Sequence, residues 1–458
     1  MADRPVLCVD VGSTFTKAAL VDPVSGALLG TASHPTTLTT DVLDGVEACR
    51  DELAARLPVA RDAEVLACSS AGGGLRIAVV GTETLVTAEA GRRVALSSGG
   101  KVAHVSAGGL DEGKLAALRD ARPDVLLLVG GTDGGNAEVL EADAAVLAGT
   151  GWAGPVVVAG NVEAQPVVAS LLERAGTPYV LADNVVPRIG VLAPGSARRA
   201  IREMFLAHVI GGKGLSSRAD FTAMVQGPTP DLVLTGVEVL AAQVGGGGVV
   251  VVDIGGATTD VHSVVPLDPE EAGLSREVVA VTPVTRTVEG DLGMRWSALS
   301  TWEAGVEAGL VVDALRPAAV RRAAAPAFLP STPAEQQEDF AIAATAATLA
   351  VRRHVGRSRV VVGPDGRVVE RSGKDLREVD LLVGSGGVLR HAGEDAVDEV
   401  LDPVTGTSAE GWQQPERPGV VVDRDYVLAA VGLLASRAPE AAAALARSLA
   451  RCEYNDVT

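Results

Sequence analysis

Two pairs of short apolar runs stand out along the chain. Val6-Leu7-Cys8-Val9 ends in Asp10, and Val249-Val250-Val251-Val252 ends in Asp253. A second β-prone run follows each, Ala18-Ala19-Leu20-Val21 and Val261-His262-Ser263-Val264. Between the members of each pair lies a polar tip, Gly12-Ser13-Thr14 in one and Gly255-Gly256-Ala257-Thr258-Thr259 in the other. Strand, tight Gly/Ser/Thr turn and strand predict a β-hairpin at each place. Glycines let a backbone approach a ligand closely, and Ser/Thr hydroxyls and amides donate to phosphate oxygens. The Asp closing each first strand is placed to hold a metal-bound water.

The pattern between these hairpins alternates strand and helix. Runs at 6–9, 17–21 and 27–33 predict a three-stranded start. Residues 40–57 read as a helix capped by Thr39 or Thr40, with Leu43, Val46, Leu53 and Leu57 as its apolar stripe. Val65–Cys68 is a short buried strand. Runs at 124–129, 155–159 and 179–182 predict further strands, each followed by a helix-compatible segment, which implies a largely parallel sheet. Gly211–Ser217 and Gly227–Pro230 mark loops. Helices are expected at 231–244, 336–354, 426–435 and 439–451, and a strand at 380–383. The chain divides into a first half over 1–230, a second over 245–435 and a C-terminal helix and tail over 436–458, with an insertion at about 265–330. A weak repeat relates the halves. Each opens with a hairpin and closes with a strand running into glycines, at 126–131 and 381–387.

Bulk properties narrow the classes. The chain has 458 residues, which allows several domains, and 47 % apolar residues, enough for sizeable cores. Aromatics make up only 3 %, so those cores are built from Val, Leu and Ala, as buried parallel strands are. The net charge of −19 argues against a nucleic-acid partner, whose phosphates need a basic face. No apolar run approaches the roughly 18 residues of a membrane span, and Met1-Ala2-Asp3-Arg4-Pro5 leads straight into a strand without a signal peptide. Cys8, Cys49, Cys68 and Cys452 show no paired spacing and read as buried thiols of a cytoplasmic protein. The histidines lack metal-ligand spacing, so no zinc site is expected.

The two hairpins, followed by Gly384-Ser385-Gly386-Gly387-Val388-Leu389 after a buried strand, resemble the ATPase fold of actin, sugar kinases and the 70-kDa heat-shock chaperones. That resemblance implies an α/β, two-domain architecture, each half a mixed five-stranded sheet flanked by helices, with a nucleotide in the cleft between them. It implies phosphate motifs at 10–17 and 253–260, an adenosine motif at 384–389 and a closing helix at 425–435. A closer resemblance is to the GlmL/MutL family of glutamate mutase accessory proteins. It is carried by Asp10–Lys17, Ser69–Arg76, Gly130–Asn136, Ala159-Gly160-Asn161, Asp253–Ser263, Arg286–Arg295 and Tyr426–Ala435. It implies an ATP-driven, chaperone-like factor that reactivates an adenosylcobalamin-dependent mutase by driving release of damaged cobalamin.

On this reading ATP and Mg2+ are the ligands. Asp10 and Asp253 position magnesium through water and, with Asp133, form the candidate catalytic set. Gly12, Ser13, Thr14, Gly255, Gly256, Thr258 and Thr259 bind phosphates, and Lys17 neutralises their charge. Gly384, Gly386 and Gly387 admit the adenosine, and Glu289 contacts the ribose or supports the site. The bland alternatives are hairpin turns, a strand-to-helix bend and, for Asp133, a turn aspartate in Thr132-Asp133-Gly134-Gly135. Ser69–Gly74 reads either as a further phosphate loop or as a close-packing bend. No Asp-x-His-x-x-Gly motif is present, so the chain is not expected to hold cobalamin itself. The rival readings on the same fold are a hydantoinase- or oxoprolinase-like subunit and a small-molecule kinase. A non-enzymatic, nucleotide-gated scaffold is a third.

Overall fold

The computed structural model describes residues 4–451 apart from 219, 267–281, 312 and 364–365, with the backbone alone over 360–363 and 366–370. Part of the expected insertion and the end of the expected tail lie outside the described residues, as do Met1–Asp3 and Cys452. Contacts divide the chain into two units. The first is dominated by residues up to Thr235 and the second by Gly236 to Val431, with Gly432–Ala441 belonging to the first.

In the first unit the apolar run after Pro5 extends into β1 (Val6–Val11), which pairs antiparallel with β2 (Phe15–Val21). β3 (Leu28–Pro35) adds antiparallel to β2. The helix Val42–Arg56 then crosses over to β4 (Glu64–Ser69), which lies parallel to β1. That helix is capped by Asp41, whose carboxylate accepts from the Leu43 N–H, and not by Thr39 or Thr40. Thr40 is drawn off instead, donating to Asp44 Oδ2.

A second sheet follows, made of β5 (Leu75–Gly81), β6 (Gly100–Ala107), β7 (Val125–Leu128), β8 (Val156–Val158) and β9 (Tyr179–Leu181). All its pairings are parallel and its order is β6-β5-β7-β8-β9. Helices Glu89–Ser97 and Gly195–Met204 cover one face, through Val94, Ala197 and Ile201. Glu112–Asp120, Glu138–Gly149 and Gln165–Ala175 cover the other, through Leu118, Leu147 and Leu172. This doubly wound module explains the continuous apolar strands, since both faces are buried. β10 (Val225–Pro228) then returns to lie parallel beside β4.

The second unit repeats the first sheet. It contains β11 (Val249–Ile254), β12 (Thr259–Val264), β13 (Val284–Glu289), the two-stranded ribbon of β14 (Arg357–Gly363) and β15 (Gly366–Ser372), β16 (Leu381–Ser385) and β17 (Gly419–Val422). Its main sheet runs β13-β12-β11-β16-β17 and the first runs β3-β2-β1-β4-β10. Each has two antiparallel pairings followed by two parallel ones. The crossover helix here is Pro333–His354, opened by a capping box between Thr332 and Glu335. The expected class, two mixed five-stranded halves flanked by helices, is the one observed.

The internal repeat needs one correction. The sequence matched the strand ending at 126–131 with that ending at 381–387. In the fold the counterpart of β16 is β4, which ends in Ser69-Ser70-Ala71-Gly72-Gly73-Gly74. β7 belongs to the parallel module. An apolar run ending in glycine signals a buried strand and says nothing about its neighbour. No helix among the described residues is long and apolar enough to cross a membrane.

Candidate functional site

Both hairpin turns close by the same bond. The Gly12 N–H donates to the Phe15 carbonyl at 3.1 Å, and the Gly255 N–H to the Thr258 carbonyl at 2.9 Å. A Cβ on Gly12 would stand 2.7 Å from that carbonyl oxygen, and one on Gly255 would stand 2.8 Å away. Only glycine fits either place. The tips are open: Ser13 and Thr14 are exposed, and Gly256, Ala257 and Thr258 are half-buried. Their amides and hydroxyls can meet an anion.

Each turn is braced from the segment that follows the third strand. In the first unit Thr36 donates its hydroxyl to the Gly12 carbonyl at 2.9 Å and its N–H to the Thr14 carbonyl. In the second, the Met294 N–H donates to Gly255 O at 3.0 Å and the Arg295 N–H to Gly256 O at 2.8 Å, while Ser297 Oγ donates to Ala257 O at 2.7 Å. The run 286–295, to which no role could be given from sequence, is therefore β13 and a buttress under the second turn.

The two aspartates differ in surroundings. Asp10 is 8 % exposed, accepts from Thr229 Oγ1 at 2.6 Å and faces Lys17 Nζ at 3.6 Å. Lys17 thus neutralises Asp10 directly. Asp253 is half-buried and stands across the strand pair from Asp260, whose Oδ2 accepts from Arg286 Nη2 at 2.8 Å. Asp260 Oδ1 is buried without a hydrogen-bond partner, and so is the Thr259 hydroxyl. Asp423, at the end of β17, is buried and accepts from the N–H groups of Val427 and Leu428. Burial, and then the charges of Asp253 and Asp425, push its carboxyl up to about 6.

The glycines at the end of β16 and just after it split by role. A Cβ on Gly386, whose φ is +114°, would meet the Ile254 carbonyl at 2.3 Å, so this glycine lets the bend lie against β11. Gly384 is closed off by Leu389 and Leu401. Gly387 faces open space. Glu289 is held by Arg353 at 2.8 Å, and burial raises its carboxyl above the usual range. Asp133 lies at the carboxyl end of the parallel module, where its Oδ1 accepts from Asn184 Nδ2 at 2.8 Å and the Val162 N–H at 3.2 Å. There it ties three loops together, in a sheet separate from that of the first hairpin.

Sequence reading missed Thr229 and Asp423, and named Asp260 and Arg295 only as the ends of motifs, without a role. Thr229 lay in Pro228-Thr229-Pro230, which reads as a loop, and starts the helix Thr229–Ala241. Asp423 had a signal that was available, an acid just before an apolar helix. Cys8, Cys49 and Cys68 are buried and outside any disulfide, as expected.

A family model described as MutL protein matches residues 6–449. The protein MutL of Clostridium tetanomorphum is 36 % identical over 450 residues, which is 95 % of this chain and 97 % of that one. Among solved structures, nucleotide-free acetone carboxylase is similar at 15 % identity and a TM-score of 0.41, over 95 % of this chain and 70 % of its own. The ATP-dependent caprolactamase of Pseudomonas jessenii is similar at 14 % and 0.39, over 93 % and 70 %.

Proposed function

This chain belongs to the MutL protein family, and we propose that it is an ATP-driven, chaperone-like accessory factor. Its client is an adenosylcobalamin-dependent mutase, glutamate mutase or a related aminomutase, from which it drives release of damaged cobalamin. The observation that carries the nucleotide part is the duplicated glycine turn, closed by the same bond in both units and preceded in each by an aspartate. The mutase part rests on the family.

The residues suit MgATP. Exposed Ser13 and Thr14 and the open flank of Gly387 leave donors and room. Among the described residues no three His, Cys, Asp or Glu form a ready cage for a metal. Mg2+ is usually held by one or two carboxylates, waters and substrate phosphates, the part given in this reading to Asp10 and Asp253. Bound MgATP supplies a hydrolysable phosphate whose loss separates two states of the protein. The turn amides and the hydroxyls of Ser13, Thr14 and Thr258 hold phosphate oxygens in this reading, with Thr259 buried behind them on β12. Asp10 and Asp253 orient metal-bound water, Gly387 leaves the adenosine side open while Gly384 and Gly386 let the strand end pack closely behind it, and Glu289 serves the ribose. The cycle acts on the client only if the two states contact it differently.

The test is reactivation of a purified mutase carrying a cobalamin that has lost its adenosyl group. With MgATP and fresh adenosylcobalamin the wild-type chain should restore turnover, and Asp253→Ala should not. Equal recovery without ATP would sink the proposal.

A further inference from the structure

The buttress under the second turn is tied into the helical layer by a buried ionic clamp. Arg295, whose N–H holds the Gly256 carbonyl, sends its guanidinium to Asp339 on the helix Pro333–His354, at 2.9 Å through Nη2. Its Nε donates to the Phe328 carbonyl at 2.9 Å. Asp339 is 3 % exposed and shared by a second arginine, Arg322, which is fully buried and donates to Asp339 Oδ1 at 2.5 Å from the helix Arg316–Ala324. The Phe328 ring lies under both guanidinium groups, at 5.9 Å from Arg295 and 4.8 Å from Arg322. One carboxylate thus fixes two helices and, through a single residue, the turn. Among the described residues the first turn has no such anchor; its brace is joined to its crossover helix by hydroxyl bonds of Thr37.

Two apolar side chains sit next to the clamp and stay in water. Trp296 is 62 % exposed and Leu329 is 70 % exposed, and each is one residue from the Arg295–Phe328 bond. Trp296 also lies between the two residues that hold the Gly256 and Ala257 carbonyls.

We infer that Arg295 is a positioning residue for the second phosphate turn, coupling that turn to the helices of residues 316–324 and 333–354, and that Trp296 registers the turn's occupancy at the surface. The inference rests on the nucleotide reading above. A charge-assisted fork with a planar guanidinium fixes direction as well as distance, which a lysine ammonium does not. Filling the turn with phosphate pulls on the Gly256 peptide, whose carbonyl the Arg295 N–H holds, and the Arg295 side chain carries that pull into the clamp.

Three measurements on the full chain test this: MgATP calorimetry, the KM and kcat of hydrolysis, and tryptophan emission during MgATP titration. Wild type should show an emission step that Trp296→Phe removes without loss of binding. Arg295→Ala should lose the step and raise KM about tenfold or more, because small misplacements of a binding group are costly. Arg295→Lys, which keeps the charge in the clamp and is less disruptive to folding, should fall between the two. A role in stability alone would lower Tm while leaving KM and the emission step intact, and that result would overturn the inference. Absence of binding heat in wild type would remove the nucleotide reading and this inference with it. Binding heat together with an unaltered KM in both Arg295 variants removes this inference alone.

Discussion

Asp253 stands directly across the β11–β12 pair from Asp260, the place that Lys17 holds opposite Asp10 in the β1–β2 pair. The two hairpins share a backbone and differ in charge at this one cross-strand position. The second therefore presents two carboxylates, of which Asp260 is bonded to the buried Arg286. Breaking a buried ion pair costs about 3–5 kcal/mol, whereas replacing both partners by apolar groups can be neutral. Asp260→Asn should accordingly lower stability by that order in urea unfolding, and the double change Asp260→Leu with Arg286→Met should recover most of it. Additive losses would show that the pair is not the source.

The glycine turns predict a paired result. A Cβ at Gly12 or Gly255 meets a carbonyl oxygen at under 3 Å, whereas one at Gly387 meets nothing. Gly12→Ala and Gly255→Ala should each cost about 1–3 kcal/mol, the usual range for forced overpacking. Gly387→Ala should leave Tm unchanged. Because Gly387 lies open, any fall in nucleotide affinity in that variant would be a direct contact effect.

Thr229 holds Asp10 by a 2.6 Å bond. Hydrogen bonds to charged groups contribute roughly 1.5–3 kcal/mol, and a partly buried carboxylate suffers when one is lost. Thr229→Val should lower stability by about that much, with Thr229→Ser largely restoring it. Equal stability of the Val and Ser variants would remove Thr229 as the group that orients Asp10.

Asp423 sets a pH window. Its folded carboxyl is raised from 3.8 to about 6, so the folded state holds this proton more tightly than the unfolded chain does. Its contribution favours folding most fully below pH 4 and is lost as pH rises to 6, by about 3 kcal/mol at 1.36 kcal/mol per unit. The stability of Asp423→Asn relative to wild type should therefore increase between pH 4 and pH 6 and stay level above that. A flat difference across the window would show an unshifted carboxyl.

The hairpins were legible because local chemistry makes them. Apolar runs of four, each closed by an Asp and a glycine turn, need no distant partner to be recognised. The helix expected over 336–354 was legible from its length and composition, but its start was not: the Thr332–Glu335 capping box opens it at Pro333. The parallel module was only half visible. β5 starts directly after Gly72-Gly73-Gly74, all at positive φ, and Ser69–Gly74 read only as a phosphate loop or a bend, so the strand behind it went unrecognised. Sheet order is non-local, which is why β7 was matched with β16 in place of β4. The brace at 292–297 was illegible for a further reason. It acts through backbone N–H groups, which any residue carries, and its anchor Asp339 lies 44 residues away. Nothing in the spacing of Arg295 and Asp339 marks them as partners.

The most direct test of the account is MgATP binding and phosphate release by the wild-type chain, Asp10→Ala and Asp253→Ala, each checked for folding by circular dichroism. The account predicts that wild type binds and hydrolyses MgATP and that each variant loses roughly a hundredfold or more in turnover, the scale of removing an electrostatic stabiliser from a site. A well-folded Asp253→Ala that hydrolyses MgATP at the wild-type rate would contradict it.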